Sequence, residues 1–309
     1  MYDVIGDIHG HADELTELLH KLGYAEHSGV FRHPSRQVLF CGDFIDRGPR
    51  IKDVLHICRA MCENGAAQAV MGNHELNALA YHTPHPGRPG EFLRVHSNKN
   101  HKQHRTTLEQ LDTAEMASAL QWFRSLPVSI DTGDLRVVHA CWDDRDFQNL
   151  AGAADEHGYM TDEYLLHAAT PGDPVFRSIE RVLKGPEMYL PEGCTMTDKE
   201  GHQRSASRIR WFESPAGHNC ATYSLPSSAD PALTAFPVPP NARAAPYHPA
   251  EPPVLIGHYW LADPVPKPLT VNVACVDYSV AKHGMLAAYR HNGERRLLEN
   301  NFVTVQALT

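Results

Sequence analysis

The sequence predicts an α/β fold built on a largely parallel sheet. Three observations support this prediction. Strand-like and helix-like segments alternate over residues 1–80, the links between them are short, and the strand-like segments are nearly continuous apolar runs. Alternation with short links is typical of βαβ units, and apolar runs are typical of strands that are covered on both faces.

The first half of the chain contains three such strand–helix pairs. The predicted strands lie at residues 2–6, 37–42 and 67–72. The predicted helices lie at residues 11–23 and 50–65 and from residue 75 onward. The first helix carries four leucines at the spacing i, i+3, i+4 and i+7, which places them on one helical face: Leu15, Leu18, Leu19 and Leu22. The second helix ends near Gly65, a residue suited to a helix C-terminus.

Residues 82–105 break this rhythm, because they are rich in proline, glycine, histidine and basic residues. We interpret the segment as a long loop or small lid that follows the third strand. Two roles stay open for it: binding a polyphosphate or peptide near a functional site, or forming a solvated loop. A helix over residues 106–127 follows, and then two strands joined by a tight turn at 132–134.

The second half of the chain is less regular. Residues 143–253 hold short helical pieces, and nine of the chain's 23 prolines lie within 225–253, which predicts an irregular insertion. Regular strands return from residue 254, and an Asn-Gly pair near the C-terminal end suits a hairpin turn. We therefore predict one domain over 1–309 that carries a lid at 82–105 and an irregular insertion at 143–253.

Composition and charge exclude several classes of protein. The net charge is −9, which argues against extended nucleic-acid binding because that function needs a basic face. No run of about 18 apolar residues occurs, so we expect no membrane span. The chain starts directly with a strand-like segment, and its seven cysteines form no CxxC pair. We therefore expect a cytoplasmic protein with reduced cysteines and no secretory leader.

Three of the predicted strands end in a similar way, with "GDIHG", "GDFIDRG" and "GNHE". Each motif begins with a glycine, which lets the chain turn sharply, and then presents metal-binding side chains. Two later strands end in a histidine. Because ligands bind at the carboxyl ends of strands in α/β sheets, we expect these side chains to converge. The candidate metal ligands are Asp7, His9, Asp43, Asn73, His139 and His258.

An isolated motif of this kind has simpler explanations. A Gly-Asp pair is often only a turn, and Asp7 or Asp43 alone can cap the helix that follows it. A single histidine at a strand end is often a hydrogen-bonded structural residue. The convergence of five strand ends with complementary ligands favours a metal site over these explanations.

The ligand set suits two divalent metals about 3.5–4 Å apart. Mixed Asp, His and Asn ligands favour manganese, iron, zinc or nickel over calcium, and manganese is the first choice. Two such metals with two carboxylates and a bridging hydroxide leave a net charge of about +1, which suits an anionic phosphate. Metal-bound hydroxide would be the nucleophile for in-line attack, and Arg47 would bind phosphate oxygens through its bidentate fork.

At these residues the sequence resembles the calcineurin-like metallophosphoesterases, specifically the phosphoprotein phosphatase-type group. "GDIHG", "GDFIDRG" and "GNHE" match that group's first three motifs without a gap, and "HA" at 139–140 and "GH" at 257–258 match the last two. The resemblance covers residues 1–80 and returns at 135–140 and 254–290. It implies a four-layer α/β/β/α sandwich with irregular insertions and a dimetal site at its edge.

The resemblance also implies how the metals would be held. One metal would be bound by Asp7 and His9, with Asp43 as the bridge to the other. The second metal would be completed by three further residues: Asn73, His139 and His258.

The resemblance assigns the chemistry to other residues. His74 would be the general acid that protonates the leaving oxygen, and Asp46 would orient His74. Arg47 would bind the phosphoryl group. The family usually supplies a second phosphate-binding arginine between its last two ligand histidines, and "SRIRW" offers Arg208 and Arg210 for this role. A solvated surface arginine is the alternative interpretation of both.

The motifs leave two substrate classes open. "GHYW" is closer to the "GHW" of bacterial symmetrical dinucleoside tetraphosphatases, whereas "GNHE" and "DRG" are closer to protein phosphatases. We predict a dimetal phosphohydrolase that cleaves a phosphoserine/threonine protein or a small phosphoester, with a dinucleoside polyphosphate such as diadenosine tetraphosphate as the alternative substrate. A third hypothesis is a catalytically silent metal-binding scaffold. It predicts lost ligands, whereas all six are present.

Overall fold

The computed structural model describes residues 1–197, 203–242 and 244–308. The chain divides into two compact units. The first contains Met1–Leu183 with Pro252–Thr309, and the second contains Lys184–Glu251. Among the residues that the structure describes, no helix is both long and apolar enough to cross a membrane.

The strands are short. In chain order they are β1 (Tyr2–Ile5), β2 (Ala25–His27), β3 (Val30–Arg32), β4 (Gln37–Phe40), β5 (Ala67–Ala69), β6 (Ser129–Asp131), β7 (Arg136–Val138), β8 (Glu187–Tyr189), β9 (Met196–Thr197), β10 (Gln203–Arg204), β11 (Ala206–Arg208), β12 (Val254–Ile256), β13 (Val273–Cys275), β14 (Asp277–Tyr278), β15 (Met285–His291) and β16 (Phe302–Gln306).

The helices confirm most of the predicted ones. They are α1 (Ala12–Lys21), α2 (Ile51–Glu63), α3 (Asn73–His82), α4 (Asn98–Gln110), α5 (Thr113–Arg124), α6 (Asp144–Ala151), α7 (Asp162–Ala169), α8 (Pro174–Lys184), α9 (Cys220–Tyr223) and α10 (Pro231–Thr234). Short 3₁₀ turns lie at Pro240–Ala242, Val280–Lys282 and Glu299–Asn301.

The first unit is built on two mixed sheets. In one sheet the strand order is β14-β15-β1-β4-β5, and β16 also pairs with β15. β1, β4 and β5 are parallel, as predicted, whereas β15 runs antiparallel to β1, β14 and β16. In the other sheet, of order β13-β12-β7-β6, β12 is parallel to β13 and β7. The prediction of a largely parallel sheet is therefore right for the first three strands and wrong where the chain returns as C-terminal hairpins.

The two sheets share one hydrophobic core. Side chains of both sheets and their adjoining loops meet in it: Val4, Leu39, Cys41, Val70, Ile130, Leu135, Val137, Leu255, Ala274, Val276, Tyr289 and Leu297. Helices α1 and α2 pack beside strands of the first sheet. On the opposite face of the second sheet, Val254 and Ile256 are also fully buried. Two sheets with helices packed beside them agree with the α/β fold class that the sequence predicts, and they are consistent with the α/β/β/α sandwich that the resemblance implies.

The predicted lid at 82–105 is only partly a loop. α4 begins at Asn98, and the Ser97 side chain accepts a hydrogen bond from a backbone N–H of its first turn at 3.3 Å. The helix predicted over 106–127 is two helices. Asp112 interrupts it and caps α5 by accepting hydrogen bonds from two N–H groups, because a short carboxylate competes well for free backbone donors.

The C-terminal hairpin is longer than the predicted Asn-Gly turn. β15 and β16 pair antiparallel, but residues 292–301 lie between them. Within this connection Leu297 is buried, and its N–H donates a hydrogen bond to the Val271 carbonyl at 2.8 Å. Burial of Leu297 therefore favours a packed excursion over a two-residue turn at Asn292-Gly293.

The second unit is small. β8 pairs antiparallel with β11, and β9 pairs antiparallel with β10. Its buried side chains include Trp211, Phe212, Tyr223 and Leu233. The stretch at 225–253 contains α10 and a 3₁₀ turn, which agrees with its predicted irregular character.

A buried ion-pair network joins the first strand to its neighbours. Asp3 is fully buried. Its carboxylate accepts hydrogen bonds from Arg36 Nε at 2.9 Å, Arg290 Nε at 3.0 Å and the Tyr24 hydroxyl at 3.1 Å. Arg36 also donates to backbone carbonyls of β1 and β15 at 2.7 and 2.8 Å. Since a buried charge is tolerated only when it is paired, the members of this network depend on one another.

We predict that Asp3→Ala lowers the free energy of unfolding by about 3–5 kcal/mol, because it leaves the buried Arg36 unpaired. Urea denaturation followed by circular dichroism measures this. Asp13→Ala is the matched control, since Asp13 pairs with Arg50 at the surface, where its side chain is 53% exposed. The control should lose less than about 1 kcal/mol. Equal losses in the two variants would contradict the account.

Candidate active site

The structure brings the predicted metal ligands together at the ends of five strands. They follow β1 (Asp7 and His9), β4 (Asp43), β5 (Asn73), β7 (His139) and β12 (His258). All are buried except His258, which is partly exposed. Because these strands come from both sheets, the cluster lies where the carboxyl ends of the two sheets meet.

Two glycines allow the strand ends to approach this closely. A Cβ atom on Gly72 would lie 2.3 Å from Asp43 Oδ1, and one on Gly257 would lie 2.1 Å from Asp7 Oδ1. Both distances are shorter than any van der Waals contact. A larger residue at either position would therefore displace a predicted ligand.

The turns that carry the cluster have a strained backbone. Six non-glycine residues in them have φ angles between +46° and +70°: His9, Asp43, Asp46, Arg47, His258 and Trp260. Left-handed conformations are unfavourable for residues with a Cβ and persist only where surrounding contacts enforce them. The fold thus concentrates strain at the residues whose side chains it aims into the cluster.

Asp43 lies at the centre of the cluster. Its Oδ2 is 3.6 Å from His9 Nε2, 3.5 Å from His139 Nε2 and 4.0 Å from His74 Nε2. Its Oδ1 accepts a hydrogen bond from the backbone N–H of His74 at 2.9 Å. Within the described part of the chain, two groups of side chains have ligand atoms within 4.8 Å of one another, and Asp43 belongs to both. They are His9–Asp43–His74 and Asp7–Asp43–His139.

Asn73 and His258 adjoin the second group. Asn73 Oδ1 is 3.2 Å from His139 Nε2 and 2.7 Å from His258 Nδ1. The backbone N–H of His258 donates to the two carboxylate oxygens of Asp7 at 3.2 and 3.1 Å. All six predicted ligands therefore lie in one connected cluster.

The ring nitrogens of two histidines are oriented as metal ligands are. The Nδ1–H of His9 donates to the Ile45 carbonyl at 2.8 Å, and that of His139 donates to the Cys41 carbonyl at 2.6 Å. Each ring thus turns Nε2 towards Asp43, and backbone carbonyls fix the tautomer as they do for metal-bound histidines. Among the residues that the structure describes, His9 Nε2 is buried without a hydrogen-bond partner. The donor set therefore fits a cation of the mixed nitrogen–oxygen type.

The buried carboxylates of the cluster also need positive charge nearby. Burial, reinforced by Asp277 and Asp43, raises the pKa of Asp7 well above its ordinary value. Burial would also raise the pKa of Asp43, but His139 and His74 outweigh it and hold that pKa well below its ordinary range. Burial would lower the pKa of His139, yet Asp43 and Asp7 raise it to about 10. A proton on His139 thus balances the carboxylates, and a divalent cation would balance them in its place.

His74 and Asp46 form a buried pair beside the cluster. His74 Nδ1 donates to Asp46 Oδ2 at 2.5 Å. Burial would lower the pKa of His74, but Asp43 and Asp46 raise it. Burial would raise the pKa of Asp46, but hydrogen bonds from His104 and His74 hold it below its ordinary range. The pair therefore combines an ionised carboxylate with an imidazole that retains a proton, as a general acid requires.

Arg47 adjoins this pair and stacks on an indole. Its guanidinium carbon lies 4.1 Å from the centroid of the Trp260 ring, and that ring lies 6.0 Å from the ring of His9. The backbone N–H of Trp260 donates to Asp277 Oδ2 at 2.6 Å. This cation–π contact favours a position of the guanidinium over the indole face.

Arg208 and Arg210 lie in the second unit, and each has a carboxylate beside it. Arg208 pairs with Glu187, and Arg210 Nε lies 2.5 Å from Glu213 Oε2. The guanidinium of Arg210 also lies 5.1 Å from the centroid of the Phe212 ring. Phosphate binding by either arginine stays a prediction.

Glu75 was not among the predicted site residues. It is fully buried, and its carboxylate accepts hydrogen bonds from the N–H groups of Asp43 at 2.8 Å, Phe44 at 2.9 Å and Gly72 at 3.1 Å. Burial, followed by the charge of Asp43, raises the pKa of Glu75 to about 7. Glu75 thus fixes the turn after β4 to the start of α3. A glutamate three residues after Gly72 has capping-box spacing, which was the available signal.

Two residues of α4 were also missed. His104 Nδ1 lies 2.8 Å from Asp46 Oδ1, and the Thr107 hydroxyl donates to the same oxygen at 2.5 Å. His104 and Thr107 are three positions apart and so share a helix face. The signal was weak, because His104 is one of 21 histidines in the chain.

We predict that Glu75→Ala lowers the free energy of unfolding by at least about 3 kcal/mol, because each buried N–H that it leaves without an acceptor costs about 1–3 kcal/mol. The matched control is Glu115→Ala, a glutamate at the same helix position in α5 whose side chain is 28% exposed. Removing that exposed acceptor should cost about 1 kcal/mol. Urea denaturation compares the two variants. A loss of stability for Glu75→Ala no larger than the control's would contradict the role of Glu75 in joining the turn after β4 to α3.

Comparison with known proteins connects these residues to a family. The family model of the calcineurin-like phosphoesterases matches residues 2–181. The asymmetrical bis(5'-nucleosyl)-tetraphosphatase of Bacillus subtilis is 34% identical over 146 residues, 45% of this chain and 57% of that protein. The symmetrical bis(5'-nucleosyl)-tetraphosphatase of Neisseria meningitidis is 32% identical over 157 residues, 49% and 48% of the two chains. The chain thus spans about half the length of the curated relatives it matches.

The fold has a counterpart among solved structures. A protein serine/threonine phosphatase from Saccharomyces cerevisiae, with similarity to human phosphatase PP5, aligns over 100% of this chain and 79% of its own. The TM-score is 0.50 at 16% identity, so the likeness concerns the fold alone. The family model, in contrast, covers more than half of the chain, including the three N-terminal motifs and His139. The chain belongs to the calcineurin-like phosphoesterase family.

Proposed function

We propose that this protein is a dimetal phosphohydrolase that cleaves phosphomonoesters. The position of Asp43 is the observation that carries the proposal, because its carboxylate belongs to both groups of candidate metal ligands. A carboxylate shared in this way is suited to bridging two cations about 3.5–4 Å apart. Membership of the calcineurin-like phosphoesterase family supports the same type of reaction.

The six predicted ligands would divide between the two metals. Asp7 and His9 would hold one metal, and Asp43 would be shared. The second metal would be held by Asn73, His139 and His258. When bound, two such metals polarise a phosphoryl group and provide a nucleophile at neutral pH. The mixed nitrogen and oxygen ligands suit manganese first, with iron, zinc or nickel as alternatives.

His74 would deliver the proton that the leaving oxygen needs. Its Nδ1–H is bound to Asp46, so its Nε2 faces the cluster, 4.0 Å from Asp43 Oδ2. Asp43 and Asp46 raise the pKa of His74 against the effect of burial, which favours the protonated ring that a general acid needs. Asp46 would hold the ring in the productive orientation and stabilise its charge.

Arg47 would bind the oxygens of the phosphoryl group. Its guanidinium lies over the Trp260 ring, 4.1 Å from the centroid, which limits the positions that the group can adopt. Fixing the group before the substrate arrives reduces the entropy lost on binding. Arg208 or Arg210 would supply the second phosphate-binding arginine.

A dinucleoside tetraphosphate is the second candidate substrate. The matching relatives from Bacillus subtilis and Neisseria meningitidis are named bis(5'-nucleosyl)-tetraphosphatases, asymmetrical and symmetrical respectively. The same in-line attack on phosphorus would then break a phosphoanhydride bond instead of a phosphoester.

The segments outside the motifs would determine the substrate. We propose one metallophosphoesterase domain over 1–309, with a lid insertion at 82–105 and an irregular insertion at 143–253. We place the protein in the cytoplasm, where its seven cysteines, free in the structure, would stay reduced.

Asp43→Asn and Asp46→Asn should separate metal binding from proton transfer. We predict that Asp43→Asn loses metal and activity together, because an amide bridges two cations poorly. Asp46→Asn should keep both metals and lose about 10²-fold in kcat, because it removes the partner that orients His74. Elemental analysis after dialysis and steady-state kinetics give the two readouts. Full metal occupancy in Asp43→Asn would contradict the bridging assignment.

A substrate panel on the manganese-loaded protein tests the proposed function. It should contain a phosphoserine peptide, p-nitrophenyl phosphate and diadenosine tetraphosphate. We expect activity that disappears with EDTA and returns with manganese, and a preference for the two monoesters. A preference for the dinucleotide by orders of magnitude would make it the substrate. Its products then locate the cleaved bond, since ATP with AMP indicates asymmetrical cleavage and ADP alone indicates symmetrical cleavage.

A further inference from the structure

Asp46 is held by more than His74. Its Oδ2 accepts the hydrogen bond from His74, whereas its Oδ1 accepts from His104 Nδ1 at 2.8 Å and from the Thr107 hydroxyl at 2.5 Å. The Asp46 N–H in turn donates to Thr107 Oγ1 at 3.0 Å. Asp46, His104 and Thr107 are all buried. Helix α4 therefore holds both the backbone N–H of Asp46 and its Oδ1, the carboxylate oxygen that does not contact His74.

A second histidine orients His104. The ionised Asp46 carboxylate only accepts hydrogen bonds, so His104 carries its proton on Nδ1. Its Nε2 lies 3.3 Å from His82 Nε2, so one of the two rings donates a hydrogen bond to the other. Burial, followed by the charges of His104 and His96, lowers the pKa of His82 to about 4, so His82 is neutral. The ring of His104 is therefore held at both nitrogens, by Asp46 at Nδ1 and by His82 at Nε2.

The segment before α4 is fastened to α3. The His96 ring stacks on Tyr81 with 3.8 Å between centroids, and His96 Nε2 lies 2.8 Å from the Tyr81 carbonyl. Arg94 joins the two helices by donating to Asn77 at 2.6 Å and to Gln103 at 2.8 Å. α4 is consequently well placed to support Asp46 from a fixed position.

We propose that His104 is a positioning residue for phosphoryl transfer. It holds Asp46 in the orientation and the ionised state that keep His74 aimed at the leaving oxygen. This inference rests on the proposed function, in which His74 donates the proton to that oxygen. The segment 82–105 would then contribute to the reaction through the buried hydrogen bond from His104 to Asp46 and not only through contact with the substrate.

The dependence of rate on the leaving group provides a specific test. An aryl phosphate with an acidic phenol, such as p-nitrophenyl phosphate, needs little protonation, whereas phenyl phosphate needs more. We expect His104→Ala to reduce kcat about tenfold for phenyl phosphate and less than about twofold for p-nitrophenyl phosphate, with KM nearly unchanged. A general loss of folded enzyme would lower both rates by the same factor.

Two further variants control this experiment. In His104→Asn the side-chain amide N–H takes approximately the place of Nδ1–H, so it should restore most of the rate on phenyl phosphate. His101→Ala removes another histidine of the same helix, an exposed one that contacts the Tyr81 hydroxyl at 3.2 Å. It should leave the ratio of the two rates as in the wild type.

Proton NMR gives a readout that does not depend on activity. With ¹⁵N-labelled histidine and diamagnetic zinc, the imidazole N–H protons bound to Asp46 should resonate at low field. His104→Ala should remove one of these signals and shift that of His74, whereas His101→Ala should leave both in place. An unshifted His74 signal in His104→Ala would overturn the inference.

The outcomes separate the inference from the proposed function. A wild-type protein inactive on every aryl phosphate and on the dinucleotide would refute the proposed function, and the NMR result would still judge the role of His104. An active wild type with equal losses on both aryl phosphates in His104→Ala would overturn the inference and leave the function intact.

Discussion

Burial of the Asp43 carboxylate among three imidazoles is the interaction on which the rest of the site depends. A carboxylate that is only 2% exposed needs nearby positive charge, because desolvation otherwise drives it to its neutral form. His9, His139 and His74 place nitrogens within 4.0 Å of it. The pKa values of His139 and His74 are raised, which favours that charge, whereas burial lowers the pKa of His9. Each of these rings is fixed in turn by a backbone carbonyl or by Asp46. The orientation of the whole cluster thus follows from the need to satisfy one buried charge.

Placing Asp43 and Asp46 in the site requires strained backbone turns. Hydrogen bonds between the backbone and side chains of other residues hold these turns in place. Asp43 and Asp46 have φ angles of +52° and +66°. Glu75 holds the backbone of Asp43, and Thr107 holds the backbone of Asp46. The two acids in "GDFIDRG" therefore have separate supports and separate surroundings. One faces the candidate metal ligands, and the other faces His74 and α4.

The sequence predicted the local part of this arrangement and missed the long-range part. Asp43 directly follows a strand and a glycine, so its position at a strand end could be inferred from neighbouring residues. Its contact with Glu75 spans 32 positions, and the contact of Asp46 with His104 spans 58. Periodicity carries no information about such pairings. The start of α4 at Asn98 was missed for a related reason, since a polar helix has little apolar pattern and is stabilised by its contacts.

Anomalous diffraction from crystals soaked in manganese tests the central claim most directly, which is that Asp43 joins two metals. We predict two peaks about 3.5–4 Å apart, both within bonding distance of the Asp43 carboxylate, with His9 on one metal and His139 on the other. A single peak, or a second metal that does not touch Asp43, would contradict the account.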